Sequence, residues 1–140
     1  EITLEPRGAR SYEHPSISGS ESVGIVLLLM EIAGPNHPTI APAINHACAW
    51  MENAKLTGIR QIEKDGDKLI IKDPGAPPLW ARFYDVQTNK PIFSGRDGVI
   101  KDSLAEIEHE RRVGYSWYGT SPAKALQRWR EWKKLDPAEL

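Results

Sequence analysis

Three arginines, Arg10, Arg82 and Arg96, lie in segments that have no helical period and many turn residues. Their neighbours are small or aromatic, in the strings GARSYE, LWARFYD and SGRDG. A planar guanidinium pairs bidentately with a carboxylate, and aromatic rings beside it can stack on the face of a sugar. The pattern therefore indicates a site for an acidic small molecule or an acidic polysaccharide.

A simpler explanation also exists for these arginines, because a cation that is not fully solvated usually has a carboxylate partner. Arg82 could pair with Asp85 or Glu13, and Arg96 with Asp97 or another local carboxylate. Other arginines fall on predicted helices or helix ends among alternating charges, where a solvated face or a local ion pair is favoured. These are Arg111, Arg112, Arg128 and Arg130.

Other kinds of site find less support in the sequence. The histidines show no metal-binding spacing, and two of the four are followed by proline, which is typical of turns. The string SGSES lacks the Gly-x-Ser-x-Gly elbow, and GRDG lacks the strand-then-helix context of a phosphate loop. The single cysteine, Cys48, excludes an internal disulfide and is interpreted as an inert core thiol.

Length and charge set further limits. The chain has 140 residues, which suits one domain, and its formal net charge is −1. We therefore expect neither a nucleic-acid nor a membrane partner, and the longest apolar run, residues 24–30, is too short to span a bilayer. The first residues, EITLEPRGAR, read like the interior of a larger protein, so the chain is expected to be part of one.

Four helices and one hairpin are predicted to position these residues. The helix at 21–32 is apolar nearly all round, which predicts that it is buried on several sides at the centre of the packing. A second helix is predicted at 39–56 and a last one at 121–134, with Ser121 as its cap. The string DSLAEIEHERR predicts a short helix with a Ser103/Glu106 capping box, and the Asp-Gly at 65–66 predicts a hairpin.

Three strings carry a resemblance to a known family. They are SYEHPSISGSESVGIVLLLM (11–30), AWMENAKLTGIR (49–60) and PPLWARFYDVQTNKPIFSGRDGVIKDSLAEIEHERRVGYSWYG (77–119). In this order they resemble the C-terminal part of pectate lyases of polysaccharide lyase family 10. The resemblance implies a mainly α fold, part of an incomplete α/α toroid of the (α/α)3 barrel type, with long ordered loops and a small β-hairpin. Residues 1–140 would be the C-terminal part of a single catalytic module, whose N-terminal part is absent from this chain.

The implied activity is calcium-dependent cleavage of polygalacturonate by β-elimination, giving 4,5-unsaturated oligogalacturonates, in a secreted bacterial enzyme. By motif position, the base falls on Arg10 and the two arginines that hold substrate carboxylates fall on Arg82 and Arg96. No Asp or Glu matches the family's metal ligands, so no metal residue is assigned. The Ca²⁺ ligands are expected mainly from the missing N-terminal part and the substrate, and the isolated chain is expected to be inactive. Asp85 and Asp97 are expected to orient the two binding arginines.

An arginine base places a demand on pH, since it acts only when neutral. A second cation ~4 Å away, at an effective dielectric constant of ~20, disfavours the charged form by about 4 kcal/mol. This corresponds to roughly three pKa units, from ~13.8 to about 11, which predicts an alkaline optimum. Two other hypotheses remain open: a non-catalytic domain of the same fold that binds acidic polysaccharide, and a structural domain whose arginines are paired internally.

Overall fold

The computed structural model describes residues 3–135. In chain order, the α-helices are α1 Glu21–Ile32, α2 Ile40–Ala54, α3 His109–Val113 and α4 Ser121–Trp132, with a 3-10 turn at Leu104–Glu106. The strands are β1 Ile17–Ser18, β2 Ile59–Lys64, β3 Asp67–Lys72, β4 Trp80–Ala81, β5 Phe83–Tyr84, β6 Phe93–Ser94, β7 Ile100–Lys101 and β8 Tyr118–Gly119. They form antiparallel pairs β1–β5, β2–β3, β4–β8 and β6–β7. No helix in this range is long and apolar enough to cross a membrane.

Helices α1, α2 and α4 pack together around what we call the helical core, which also includes side chains from β4 and β5. Trp132 is fully buried there, and its indole Nε1 donates to the carbonyl of Ala33 at 2.7 Å. Trp80 donates in the same way to the carbonyl of Met51 at 2.8 Å. A buried indole N–H requires an acceptor, so these two bonds fix how α4 and β4 sit on the other helices.

The local sequence signals gave most element positions correctly. The first helix has the predicted bounds, and Pro42 lies in the first turn of α2, where its missing N–H is harmless. The β2–β3 hairpin turns at Asp65 and Gly66, whose φ angles of 53° and 75° suit an Asp-Gly turn. The Ser103/Glu106 capping box is present. The helix after it is split into a 3-10 turn and α3, because Ile107 and Glu108 are extended.

The expectation of a mainly α fold, part of an α/α toroid, is wrong for this chain. Helices account for 35% of the described residues, and short antiparallel strand pairs run between them. The segment between β3 and the 3-10 turn is rich in proline and glycine, which break helices. Its backbone hydrogen bonds are made in two-residue strands and in turns. The chain is therefore a three-helix core joined to a region of loops and small sheets.

The expectation that α1 is buried on several sides is also wrong. One side of α1, with Val23, Val26 and Met30, packs into the helical core. The other side carries Ile25, Leu28 and Ile32, which are 62%, 57% and 63% exposed. We call these three residues the apolar face of α1.

Candidate functional site

An open pocket of about 330 Å³, which we call the arginine pocket, lies in the loop region. It is lined by aromatic rings, two guanidinium groups and two carboxylates. The lining residues are Ala9, Tyr12, Glu13, His14, Ser16, Glu21, Arg82, Phe83, Ile92, Phe93, Ser94, Arg111, Tyr115 and Trp117. They come from three separate stretches of the chain, so the pocket exists only because the fold brings these stretches together.

Close backbone contacts at glycines hold these stretches together. A Cβ at Gly19 would lie 2.3 Å from the carbonyl oxygen of Ala81, and the Gly19 N–H donates to the carbonyl of Arg82 at 2.9 Å. Gly98 has a φ of +71°, and a Cβ there would lie 2.9 Å from the carbonyl oxygen of Ser11. Only glycine allows both approaches. These contacts explain the glycines in the strings SGSES and GRDG.

Arg82 lies in the arginine pocket, as the sequence suggested, with a partner that was not expected. Its Nη2 donates to Oε1 of Glu21 at 2.7 Å. Its guanidinium carbon lies 4.4 Å from the ring centroid of Tyr115 and 5.6 Å from that of Phe83. Its Nε is buried and has no hydrogen-bond partner among residues 3–135. The guanidinium is therefore held by rings and one carboxylate while keeping one donor free.

Arg111 is the functional candidate that the sequence reasoning missed, since it was assigned to a solvated face or a local ion pair. Its guanidinium carbon lies 4.6 Å from the ring centroid of Tyr12, 4.9 Å from that of Tyr115 and 5.7 Å from that of Trp117. Its Nε is buried without a hydrogen-bond partner in the described part of the chain. The sequence did hold one signal that Arg111 and Arg112 differ. Adjacent side chains on a helix point in different directions, so the two arginines cannot share one environment. Arg112 pairs with Asp67 of the hairpin at 2.7 Å, so Arg111 points elsewhere.

Arg10 lies beside the pocket and is not among its lining residues. Its side chain is 65% exposed, and its Nη2 donates to Oε1 of Glu13 at 2.6 Å. Its guanidinium carbon lies 4.9 Å from the ring centroid of Tyr12. The hydrogen bond and charge of Glu13 raise the pKa of Arg10 above its ordinary value, and the hydrogen bond from Arg10 lowers the pKa of Glu13 to about 2. This is the opposite of the shift that an arginine base requires.

Arg96 lies outside the lining of the arginine pocket, on the exposed turn after β6. Its Nη2 and Nε donate to the carboxylate of Glu110 at 2.5 and 3.1 Å, and this hydrogen bonding raises the pKa of Arg96. Its backbone N–H donates to Oε1 of Glu108 at 2.7 Å. A Cβ at Gly95 would lie 1.9 Å from the carboxylate of Glu108, so α3 and this turn are closely joined.

The expected roles of Asp85 and Asp97 as partners of the binding arginines are wrong. The carboxylate of Asp85 accepts from the backbone N–H groups of Gln87 and Thr88, and these bonds stabilise the turn that begins at Asp85. Asp97 accepts from the N–H of Val99 at 3.0 Å and from Lys101 at 3.4 Å. Short polar side chains commonly bond the backbone two residues ahead in this way. The arginines take their partners from α1 and α3 instead.

Most of the other candidate residues have structural roles. His37 accepts backbone N–H groups at the start of α2, His46 is exposed on that helix, and His109 contacts the carbonyl at the β2–β3 turn. Cys48 is fully buried, and burial raises the pKa of its thiol to about 11, as expected of a core thiol. The exception is His14, which lines the arginine pocket with its Nε2 at 3.3 Å from Oγ of Ser94.

The charges of the site do not form a metal centre by themselves. Among residues 3–135, no group of three or more His, Cys, Asp or Glu side chains could hold a metal ion. The two carboxylates of the pocket, Glu13 and Glu21, are each bound to an arginine. The residues present therefore do not fit a calcium ion without ligands from elsewhere. The arrangement suits an anion that has a flat or ring-shaped body.

The model of the pectic acid lyase family matches residues 1–126. Two solved structures of a family 10 polysaccharide lyase from Cellvibrio cellulosa match with TM-scores of 0.81 and 0.82 and 32% sequence identity. One of them is an aspartate-to-alanine mutant in complex with trigalacturonic acid. The matches cover 94% and 96% of this chain but 41% and 42% of the length of those proteins. No protein with curated annotation matches the sequence.

Proposed function

The chain belongs to the pectic acid lyase family, and from that premise we propose that it forms part of a pectate lyase that cleaves polygalacturonate by β-elimination. Because it spans about two fifths of the matched structures, the proposed enzyme is the complete module, meaning residues 1–140 together with the rest of the catalytic module. We propose that residues 1–140 supply an anion clamp and a base, and are inactive by themselves. Since the polymer is too large to enter a cell intact, the module is proposed to be secreted.

The main support is that two guanidinium groups, those of Arg82 and Arg111, line the arginine pocket. Arg82 Nε and Arg111 Nε are buried and have no partner within residues 3–135. A buried donor that stays unsatisfied costs about 1–3 kcal/mol, so such donors usually have a ligand or a water. The guanidinium groups of Arg82 and Arg111 can donate to a carboxylate, and the half-buried rings of Tyr12 and Tyr115 can stack on a sugar ring. Galacturonate combines a carboxylate with a sugar ring.

The other two arginines are proposed to act at the edge of this pocket. Arg96 is exposed and pairs with the exposed Glu110. A substrate carboxylate can therefore replace Glu110 at the guanidinium of Arg96 without breaking a buried ion pair. In polygalacturonate every unit carries a carboxylate, so a clamp extending from Arg82 and Arg111 to Arg96 would contact more than one unit. We therefore propose that Arg82 and Arg96 bind substrate, as the family resemblance implies, and that Arg111 joins them.

In the proposed reaction a base removes the proton at C5 of a galacturonate unit. The electron pair of that C–H bond forms the C4=C5 double bond, the C4–O bond breaks, and the departing oxygen takes up a proton. Arg10 is proposed as the base, which requires it to be neutral. Glu13 opposes this, because its charge stabilises the guanidinium cation. The Arg10 side chain is largely exposed, so solvent screens its attraction to Glu13. We propose that substrate binding breaks this pair, and high pH should favour turnover.

Calcium is proposed as the cofactor, with its ligands supplied by the substrate and by the part of the module outside residues 1–140. Within the described residues the carboxylates near the pocket are engaged by arginines, which leaves no cluster for the ion. The proposal predicts that a chelator abolishes turnover by the complete module and that added Ca²⁺ restores it.

One observation favours a second candidate, a non-catalytic domain that binds acidic polysaccharide. The pKa of Arg10 is raised by Glu13, while a base requires it to be lowered. A binding domain would use Arg10 only as a cation, which the pair with Glu13 does not prevent. The two candidates share the anion clamp and differ only in whether a bond is broken.

The test is formation of the unsaturated uronide by the complete module, followed by ultraviolet absorbance on polygalacturonate with Ca²⁺. The expected result is steady turnover by the wild type, loss of turnover in Arg10→Ala, and unchanged binding of trigalacturonate by calorimetry in that variant. Binding without turnover in the wild type would overturn the lyase proposal in favour of the binding domain. Trigalacturonate binding that is indifferent to Arg82→Ala and Arg96→Ala would overturn the clamp and leave a structural domain.

A further inference from the structure

The apolar face of α1 is a continuous surface. Ile25, Leu28 and Ile32 are separated by three and four residues, so they lie above one another on one side of the helix. Each is more than half exposed. Beside them, a Cβ on Gly24 would meet no atom within 4 Å, so the surface there is open. Single exposed apolar residues are ordinary, but a continuous stripe marks a contact surface.

The apolar face of α1 has a defined position relative to the arginine pocket. Glu21 is the first residue of α1 and lines that pocket. With a rise of 1.5 Å per residue, Ile25 lies about 6 Å and Ile32 about 16 Å along the axis from Glu21. A body that packs along this stripe would therefore lie next to the pocket at one end.

We propose that the apolar face of α1 is the surface on which the rest of the catalytic module packs, through an apolar helix or loop of its own. Almost all of this chain matches the solved structures. The matches cover 41% and 42% of the length of those proteins, so 59% and 58% of their length has no counterpart in this chain. A family module of that size has to join the remainder to these 140 residues through a surface. The inference rests on the proposed complete module and not on its chemistry.

This placement also gives the remainder a function at the pocket. The described residues lack a cluster that could hold a metal ion. A body seated on α1 would bring its own side chains to the side of the pocket that Glu21 lines. The same packing would exclude water from the apolar stripe and cover part of the arginine pocket.

Thiol labelling of the complete module tests this packing without relying on turnover. Leu28→Cys places one thiol in the middle of the apolar face of α1, and Val86→Cys places one on an exposed turn far along the chain from α1. Cys48 is fully buried and stays unreactive in the folded protein. Each variant is labelled with a maleimide in native buffer and in urea, and mass spectrometry of peptides assigns the label.

The expected result is that Leu28→Cys labels about 100-fold or more slowly in native buffer than in urea, since only rare opening exposes a packed position. Val86→Cys should show a much smaller difference. Similar native and urea rates for Leu28→Cys would overturn the proposal. Protection that disappears when the protein is diluted would also overturn it, because a second copy would then cover the face. Ultraviolet assays on the wild type report the lyase activity independently of both outcomes.

Discussion

The helical core and the arginine pocket are built by different means. In the helical core, long elements bury apolar side chains, and buried polar side-chain groups bond to backbone carbonyls, as Trp132 does to Ala33. Around the arginine pocket the strands are two residues long, and the order comes from glycine contacts, carboxylate–arginine pairs and stacked rings. The first region stabilises the chain, while the second exposes cations that a stable core would exclude.

A small aromatic cluster is what lets the second region keep its shape. Phe93 and Trp117 are almost fully buried, with ring centroids 5.7 Å apart. Tyr115 lies 5.1 Å from Trp117 and also faces the guanidinium groups of Arg82 and Arg111. The rings therefore connect a dry interior to the charged surface. Changes in this cluster should affect stability and binding together, whereas changes in the helical core should affect stability alone.

The largest effect is expected from Trp117→Ala. The side chain is 2% exposed, and its Nε1 donates to the carbonyl of Arg111 at 2.8 Å. Removing a buried tryptophan should lower the free energy of unfolding by about 3–5 kcal/mol. It should also abolish trigalacturonate binding, because Arg111 loses both its ring and the bond that fixes its backbone. Urea unfolding and calorimetry measure the two effects, and intact binding would contradict the proposed role of the cluster.

A smaller effect, on stability alone, is expected from Ile44→Ala. Ile44 is fully buried on α2 and is not part of the arginine pocket. The lost contacts and the cavity should lower the free energy of unfolding by about 2–5 kcal/mol. At a temperature where the variant is folded, KM and kcat of the complete module should equal those of the wild type. A changed KM would mean that the two regions are coupled. The exposed Val86→Ala is the control and should change stability by less than about 0.5 kcal/mol.

A shift in pH dependence is expected from Glu13→Gln. The carboxylate raises the pKa of Arg10 through its hydrogen bond and charge, so its removal should lower that pKa. More of the neutral base is then present at a given pH, and the rise of kcat/KM should move to lower pH. Glu110→Gln is the matched control, since Glu110 raises the pKa of Arg96 and not that of Arg10. An unmoved profile in Glu13→Gln would argue against Arg10 as the base.

The sequence correctly predicted the positions of elements that depend on residues close together along the chain. Turn residues and helical spacing placed the helices, and Asp-Gly placed the hairpin. The last helix is capped by Thr120, and the predicted cap Ser121 is its first residue. The exposure of α1 could not be predicted, because an apolar stripe looks the same whether it faces this chain or another body. The toroid was expected from the resemblance alone, and the described residues instead show helices with short antiparallel strand pairs between them.

The candidate site was predicted in part. The sequence selected Arg82 for the pocket, but the partners of the arginines are distant: Glu21 is 61 positions from Arg82, and Glu110 is 14 positions from Arg96. Local spacing favoured Asp85 and Asp97 and therefore failed. Arg111 was missed because alternating charges around a helix usually mean solvent. Only the packing of α3 against the loops turns that residue toward the rings.

The central claim is that the arginine pocket holds the carboxylates of the substrate. The most direct test compares substitutions at two adjacent arginines that have different surroundings. Arg111 faces three rings in the pocket, while Arg112 pairs with Asp67 on the hairpin. Trigalacturonate affinity is measured by calorimetry for Arg111→Gln and Arg112→Gln in the complete module. A charged hydrogen bond contributes about 1.5–3 kcal/mol, so Arg111→Gln should weaken binding roughly 10- to 100-fold. Arg112→Gln should leave affinity nearly unchanged. Equal losses in both variants, or none in Arg111→Gln, would contradict the account.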